Sequence, residues 1–406
     1  MVDDPVLFRQ GGFRLVARLR GVEDLRADEG QVSRLREFAQ RQDGPADRLV
    51  EWLAREPGNR ERFERALSGE ATEATTATTA TDEAPELREF MAVVEATPYW
   101  VDRRRLEKGA RAITRAGLLG LFPLGDMSLM GGYLASRATK ALVGTGEIER
   151  RATKRLVETA AWWIDVTTPG AMDRHSSGFR AAVDIRVVHA HVRRAMNSRE
   201  DWDYERWDRP VNQVQTAGTL LLFSLVYVFG TQLLGLRYSE QERADILHLW
   251  RYIGWLMGVD EELLPADEDD AWRLLWLLAA TEFIPDDDSK RLAKALVESH
   301  AAIGEGRGAA GKVLAHVNVQ VHSAISRLVL GKENADFLEL PDDPVAQAAV
   351  VAVAGVNFAA ETARRFIPGA TAVQELLGGV GRRRYLKRLH EVFKLDTTLR
   401  QHVRAA

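Results

Sequence analysis

Residues Arg186 to Arg193, reading Arg-Val-Val-His-Ala-His-Val-Arg, set one histidine between two arginines. Offsets of three and seven residues put Arg186, His189 and Arg193 on a single helix face. An imidazole flanked by guanidinium groups is poorly suited to carrying its own positive charge. It is better suited to staying neutral and binding a metal, with the cations available to carboxylates such as propionates or to a reduced oxygen species. The arginines have an alternative, a solvated face or ion pairs with Asp184 or Glu200. His191 lies about 200° around the helix from His189, so it is expected to point away from any ion that His189 binds. A zinc-peptidase site would need histidines four apart around a glutamate. The remaining histidines, His175, His248, His300, His316, His322, His390 and His402, show no ligand spacing, and of these His175 and His248 are kept as candidate supporting partners. Upstream, Arg155 and Thr159 stand one turn apart on another charge-rich segment, and the two faces could line one pocket.

The run Arg155-x-x-x-Thr159, then Arg186-x-x-His189-x-x-x-Arg193, then Pro210-Val-Asn-Gln213 leading into an apolar segment resembles the rubber oxygenase (latex-clearing protein) family. That family also includes the endoplasmic-reticulum-bound oxygenase of the mycophenolic acid pathway. The likeness continues through Gly235-Leu-Arg-Tyr-Ser239-Glu240 and His248-Leu-Trp-Arg251-Tyr-Ile-Gly254-Trp-Leu-Met-Gly258 to Leu264-Pro265, covering about residues 95 to 335. It implies an all-α, globin-like helical core with additional helices at both ends, holding a haem b iron by one histidine. On that implication His189 is the iron ligand, and Arg186 and Arg193 bind haem propionates or orient the ligand helix. Arg155 and Thr159 would then donate hydrogen bonds to dioxygen, the co-substrate.

Where rubber oxygenases can carry a lysine before the threonine, this chain has Glu158. A carboxylate there could ligate weakly, act as a base or face solvent, so the sixth iron position is expected to be open or water-bound. Glu147 and Glu149 are alternative acids in the same region. The implied activity is oxygenation of an apolar small molecule or lipid-like substrate, with C=C cleavage, hydroxylation and peroxidation all open as outcomes. Two other classes stand beside it: a non-catalytic haem or gas-binding protein, and a haem-free helical protein that binds a hydrophobe or a partner.

Composition narrows the field independently. With 406 residues, 46% of them hydrophobic, the chain can bury one large core or two smaller ones. A net charge near −4, from 55 basic and 59 acidic residues, gives no footprint for nucleic acid. The absence of cysteine excludes a disulfide scaffold, an iron–sulfur cluster, a thiolate nucleophile and a thiolate-ligated haem. The first residues show neither an uninterrupted apolar segment nor a twin-arginine leader, so a cytoplasmic location is expected, and with it a substrate smaller than an extracellular polymer.

The elements that must position these residues read as helices. Prolines at 98, 123, 169, 210, 265 and 285 fall at helix-like intervals and strand-type alternation is nearly absent. Residues 217–236 have membrane length, but Thr219, Ser224, Thr231 and Gln232 dilute them and no basic cluster flanks them, so a helix buried in a soluble core is expected there. The chain divides into an N-terminal helical extension (1–68), a disordered Ala/Thr/Glu linker (69–86), the oxygenase-like domain (87–335) and a C-terminal helical extension packed on the core (336–406). Residues 345–360 form a small-residue helix able to approach a neighbour closely. Residues 382–389 are basic with leucines at helical spacing, which fits a solvated terminal face or, alternatively, peripheral contact with an anionic membrane.

Overall fold

Apolar residues at three- and four-residue spacing fold as helices along the whole chain. In the computed structural model, residues 4–21, 25–69, 84–144 and 148–393 are described, and they contain no strand. The all-α expectation holds. The main helices are α1 (Gly11–Arg20), α2 (Glu29–Ala39), α3 (Gly44–Leu53), α4 (Pro57–Ser68), α5 (Pro85–Glu95), α6 (Arg103–Arg115), α7 (Gly117–Gly132), α8 (Ser136–Gly144), α9 (Ile148–Val166) and α10 (Ser177–Asn197). After these come α11 (Gln213–Leu233), α12 (Glu240–Leu256), α13 (Glu268–Thr281), α14 (Asp287–Ala301), α15 (Gly308–Leu330), α16 (Pro344–Arg364) and α17 (Ala370–Phe393).

Side-chain caps fix several starts. Asn212 with Gln215 and Ser239 with Glu242 form reciprocal capping boxes that satisfy the free N–H groups opening α11 and α12. Two helices are irregular where they meet. α7 widens into a π turn over Leu124–Leu129, directly after Pro123, and α11 does the same over Leu222–Val226. The two wide turns pack on each other, and such turns concentrate at functional sites.

The apolar segment inside 213–233 is buried, as expected. The polar residues that interrupt it satisfy themselves locally: Thr219 donates to the Gln215 carbonyl and Ser224 to the Leu220 carbonyl. Its own Tyr227 and Phe223 pack on Trp163 and Trp250 of the neighbouring helices, with the Trp163 and Tyr227 rings 4.5 Å apart and those of Phe223 and Trp250 6.1 Å apart. α6 and α12 approach closely because Gly109 carries no Cβ, which would otherwise stand 2.3 Å from the Asp245 carbonyl oxygen.

The N-terminal segment is not a separate unit. Phe13 packs at 5.0 Å from Phe229 of α11 and Phe8 at 6.4 Å from Trp272 of α13, so the first helices share the main core. Polar contacts fasten the segment further. Arg36 pairs with Asp208 at 3.0 Å and with Glu282, and the Arg41 carbonyl accepts from the Gln213 N–H at 3.0 Å. Of the expected linker, residues 70–83 lie outside the described residues.

At the other end, α17 docks on α6 and α9, whereas α16 touches α15 and leaves Val345, Val351, Val353, Val356 and Phe358 exposed. α16 is also long and apolar enough to cross a membrane. The basic run 382–389 is divided. Arg383, Arg384, Lys387 and Arg388 face outward, but Arg382 is buried, donating to Thr114 Oγ1 and the Ile164 carbonyl at 3.1 Å and to Thr167 Oγ1 at 2.5 Å. The expectation of a wholly solvated or membrane-facing basic face therefore fails at Arg382, whose role is to tie α17 to α6 and α9.

Candidate functional site

α9 and α10 lie side by side, and their adjoining faces wall a cavity of about 420 Å³ completed by α7, α8, α11 and α13. Arg155, Glu158 and Thr159 from α9 and His189 from α10 all line it, so two segments that sequence spacing only suggested might meet do meet. The remaining wall is mainly apolar, with Leu129, Trp162, Val188, Leu222, Phe223 and Leu278. Both π turns contribute to it, through Ser128 and Leu129 and through Leu222 and Phe223.

The His189 Nδ1 is buried without a hydrogen-bond partner. A buried polar atom left so is costly unless something takes it. Burial, then the positive charges of Arg193 and Arg155, push the imidazole down to about 4, against a weaker opposing pull from Asp43. It is neutral at pH 7, with a lone pair available to a metal. His191 faces the other way, into a small recess with Phe63 and Val187, as its angular offset requires.

The two arginines meet only one of the two roles expected of them. Arg186 is buried and grips Asp43 with both ends of its fork, Nε to Oδ2 at 2.7 Å and Nη2 to Oδ1 at 2.9 Å. Its third nitrogen donates to the Leu256 carbonyl at 3.3 Å, and its plane covers the Phe90 ring at 5.1 Å. Arg193 donates to Asp47 at 2.6 Å and stands 3.9 Å from Asp43. Neither lines the cavity, so the haem-propionate half of the expectation is corrected and the other half, holding the helix that carries His189, fits the contacts: they clamp α10 onto α3. The partners are Asp43 and Asp47, not Asp184 or Glu200.

Angular position explains the split. A spacing of three residues turns the helix by about 300°, leaving Arg186 about 60° from His189, enough to face a different neighbour. Gly258 makes room for the clamp. Its φ is +81°, and a Cβ there would lie 2.3 Å from Asp43 Oδ2 and 2.7 Å from Arg186 Nε.

Glu158 faces the cavity with Lys154 Nζ 3.6 Å from its carboxylate, one turn back on α9. Glu147 lies outside the described residues, and the side chain of Glu149 is likewise not described. Of the supporting histidines, His248 Nε2 accepts from the Asp102 N–H at 3.0 Å and His175 Nδ1 lies 3.2 Å from the Leu67 carbonyl, both away from the cavity. Asn212 and Gln213 are structural: Asn212 caps α11, and Gln213 bridges the Gly258 carbonyl at 3.0 Å and the Asp260 N–H at 2.8 Å.

Sequence reasoning missed two lining residues. Tyr133 is half-buried on the cavity wall; loss of water around its phenol raises it to about 12, and Arg155 pulls the other way. It therefore stays a protonated hydrogen-bond donor. Asp184 is raised to about 7, by burial first; Arg180 lowers it, Glu64 adds to the rise and Arg60 lowers it. Asp184 lies five residues and about 140° around α10 from His189, so helical offset gave no signal for it.

Comparison with known proteins bears on this arrangement. Residues 114–365 match the model of the family described as ER-bound oxygenase mpaB/B'/Rubber oxygenase, catalytic domain. The rubber oxygenase of Streptomyces sp. (strain K30) is 24% identical over 269 residues, spanning 64% of this chain. This chain matches 62% of that protein's length. The solved structure of latex clearing protein LCP in the closed state shares the fold with a TM-score of 0.59 at 21% identity, over 86% of this chain and 91% of that one. The cavity walls Arg155, Thr159 and His189 all fall within the matched span, and this chain belongs to the family of ER-bound oxygenase mpaB/B' and rubber oxygenase catalytic domains.

Proposed function

We propose that this chain is a b-type haem-dependent oxygenase that uses dioxygen on an apolar small-molecule or lipid-like substrate. The observation that carries the reading is the His189 imidazole, neutral and with an unpartnered buried nitrogen, in an apolar cavity that also holds Arg155 and Thr159. The volume, about 420 Å³, is within the roughly 300–1,000 Å³ of small-molecule and cofactor sites. With no cysteine in the chain, histidine is the natural axial ligand. Family membership and the name of the Streptomyces relative support an oxygenase acting on an apolar substrate.

When bound, haem supplies the oxygen chemistry. The chain's residues do the rest. His189 would hold the iron. The Arg155 guanidinium and Thr159 hydroxyl would supply hydrogen-bond donors to the cavity, and the Tyr133 phenol would add a third. Glu158, beside Lys154, is one carboxylate on this wall that can accept a proton. Leu129, Trp162, Leu222 and Phe223 exclude water and take the substrate's hydrocarbon.

The test is oxygen uptake by haem-loaded protein against a panel of unsaturated hydrocarbons and fatty acids. We expect uptake above background with at least one of them, and Thr159→Val to slow it by about 10²-fold or more, the usual effect of removing one such donor. A haem spectrum without substrate-dependent uptake would assign the chain to haem or gas binding instead. The absence of any Soret band after loading would leave a haem-free hydrophobe-binding protein.

A further inference from the structure

Three ionisable residues scattered in the sequence converge beside the cavity wall. Asp126 sits in the π turn of α7 and is wholly buried, His300 closes α14, and His322 lies midway along α15. His322 Nδ1 is 2.8 and 2.9 Å from the two Asp126 oxygens, and His300 Nε2 is 3.6 Å from the nearer one. One ligand atom from each of the three lies within 4.8 Å of the others.

The cluster is incomplete as it stands. The His300 side chain is 9% exposed, and its Nε2 has no hydrogen-bond partner although it points at the carboxylate. No arginine or lysine pairs with Asp126 among the described residues. A buried carboxylate facing an unpartnered nitrogen calls for a cation between them.

We propose that Asp126, His300 and His322 bind a divalent transition-metal ion of the zinc class at a structural site separate from His189. Two imidazoles and a carboxylate suit zinc and its first-row neighbours, while magnesium and calcium prefer all-oxygen shells. The two imidazoles are stacked, with centroids 3.7 Å apart and planes 8° apart. Zinc bonds of about 2.0–2.2 Å draw the ligand atoms together, so binding tilts the rings out of this stack.

The ion would join three elements, fixing the π turn of α7 to α14 and α15. Ser128 and Leu129 of that turn line the cavity, so the metal would hold one of its walls in place. Sequence spacing concealed the site. Asp126 and His322 are 196 residues apart, and no ligand motif links them.

The test uses the full chain, stripped with a chelator and returned to one equivalent of zinc, then assayed by elemental analysis after gel filtration and by calorimetric titration. One zinc ion per chain is expected, in haem-free and haem-loaded protein alike and in His189→Ala, so the outcome does not depend on the oxygenase reading. His300→Gln and Asp126→Asn should weaken binding by more than the 10–100-fold typical of outer-sphere changes, while His316→Ala, exposed on α15 beside His322 in sequence, should leave it unchanged. Zinc-edge X-ray absorption of the wild type decides the matter even if a variant does not fold, since two imidazoles plus oxygen ligands are expected. No retained zinc, equal binding by His300→Gln, or a different imidazole count would overturn the proposal.

Discussion

Replacing Asp43 by alanine leaves two buried guanidinium groups without their shared counter-charge. Arg186 and Arg193 are each 3% exposed, and Asp43 supplies two of the three hydrogen bonds of Arg186. Breaking a buried ion pair by removing one partner costs about 3–5 kcal/mol, because the remaining charge stays desolvated. Asp43→Ala should lose that much in urea unfolding followed by circular dichroism, with tryptophan fluorescence as the check on cooperativity. Adding Arg186→Met removes the stranded charge and fills the volume, so the double variant should recover most of the loss. The clamp also makes a functional distinction. If Arg186 acts by holding α10, haem binding should weaken to a similar degree in Asp43→Ala and Arg186→Met. A loss below about 1 kcal/mol in Asp43→Ala, or haem affinity that falls for Arg186→Met and not for Asp43→Ala, would refute the clamp.

Three further outcomes follow from the same geometry. Gly258→Ala places a Cβ against Asp43 and Arg186 at a φ of +81°, and should destabilise by at least about 2 kcal/mol, seen as a lowered denaturation midpoint. Asp184, raised to about 7 in the folded chain from 3.8, binds a proton that the unfolded chain releases. The stability it contributes is full below pH 3.8 and lost as pH rises towards 7, so Asp184→Asn should gain on wild type across that window, by up to about 4 kcal/mol; parallel urea titrations at pH 4.5 and 7.5 that show no change in the difference would contradict this. Arg382→Ala forfeits three hydrogen bonds of a buried cation and should cost about 2–3 kcal/mol in thermal unfolding, with Arg382→Lys recovering little because an ammonium lacks the planar fork.

Local signals carried the fold class and the residues that line one cavity. Proline spacing and helical periodicity foretold an all-α chain, and the buried apolar helix at 213–233 was legible from the hydroxyl and amide groups that interrupt it. His189, Arg155 and Thr159 all line one cavity, as their helical offsets suggested they could. What the sequence hid was long-range pairing. The partners of Arg186 and Arg193 lie 143 and 146 residues away, and a three-residue offset does not reveal which neighbour each side chain meets. The same limit made the first helices read as a separate extension, since the contact of Phe13 with Phe229 has no local trace. Arg382 looked like one more surface cation in a basic run, and only its docking against Thr114 and Thr167 distinguishes it.

The most direct test of the account is haem reconstitution of wild type, His189→Ala and His191→Ala, read by the Soret band and by iron per chain. Wild type and His191→Ala should each take up one haem with a histidine-ligated spectrum, and His189→Ala should lose it. Equal spectra for wild type and His189→Ala would contradict the assignment of the iron ligand and the site built around it.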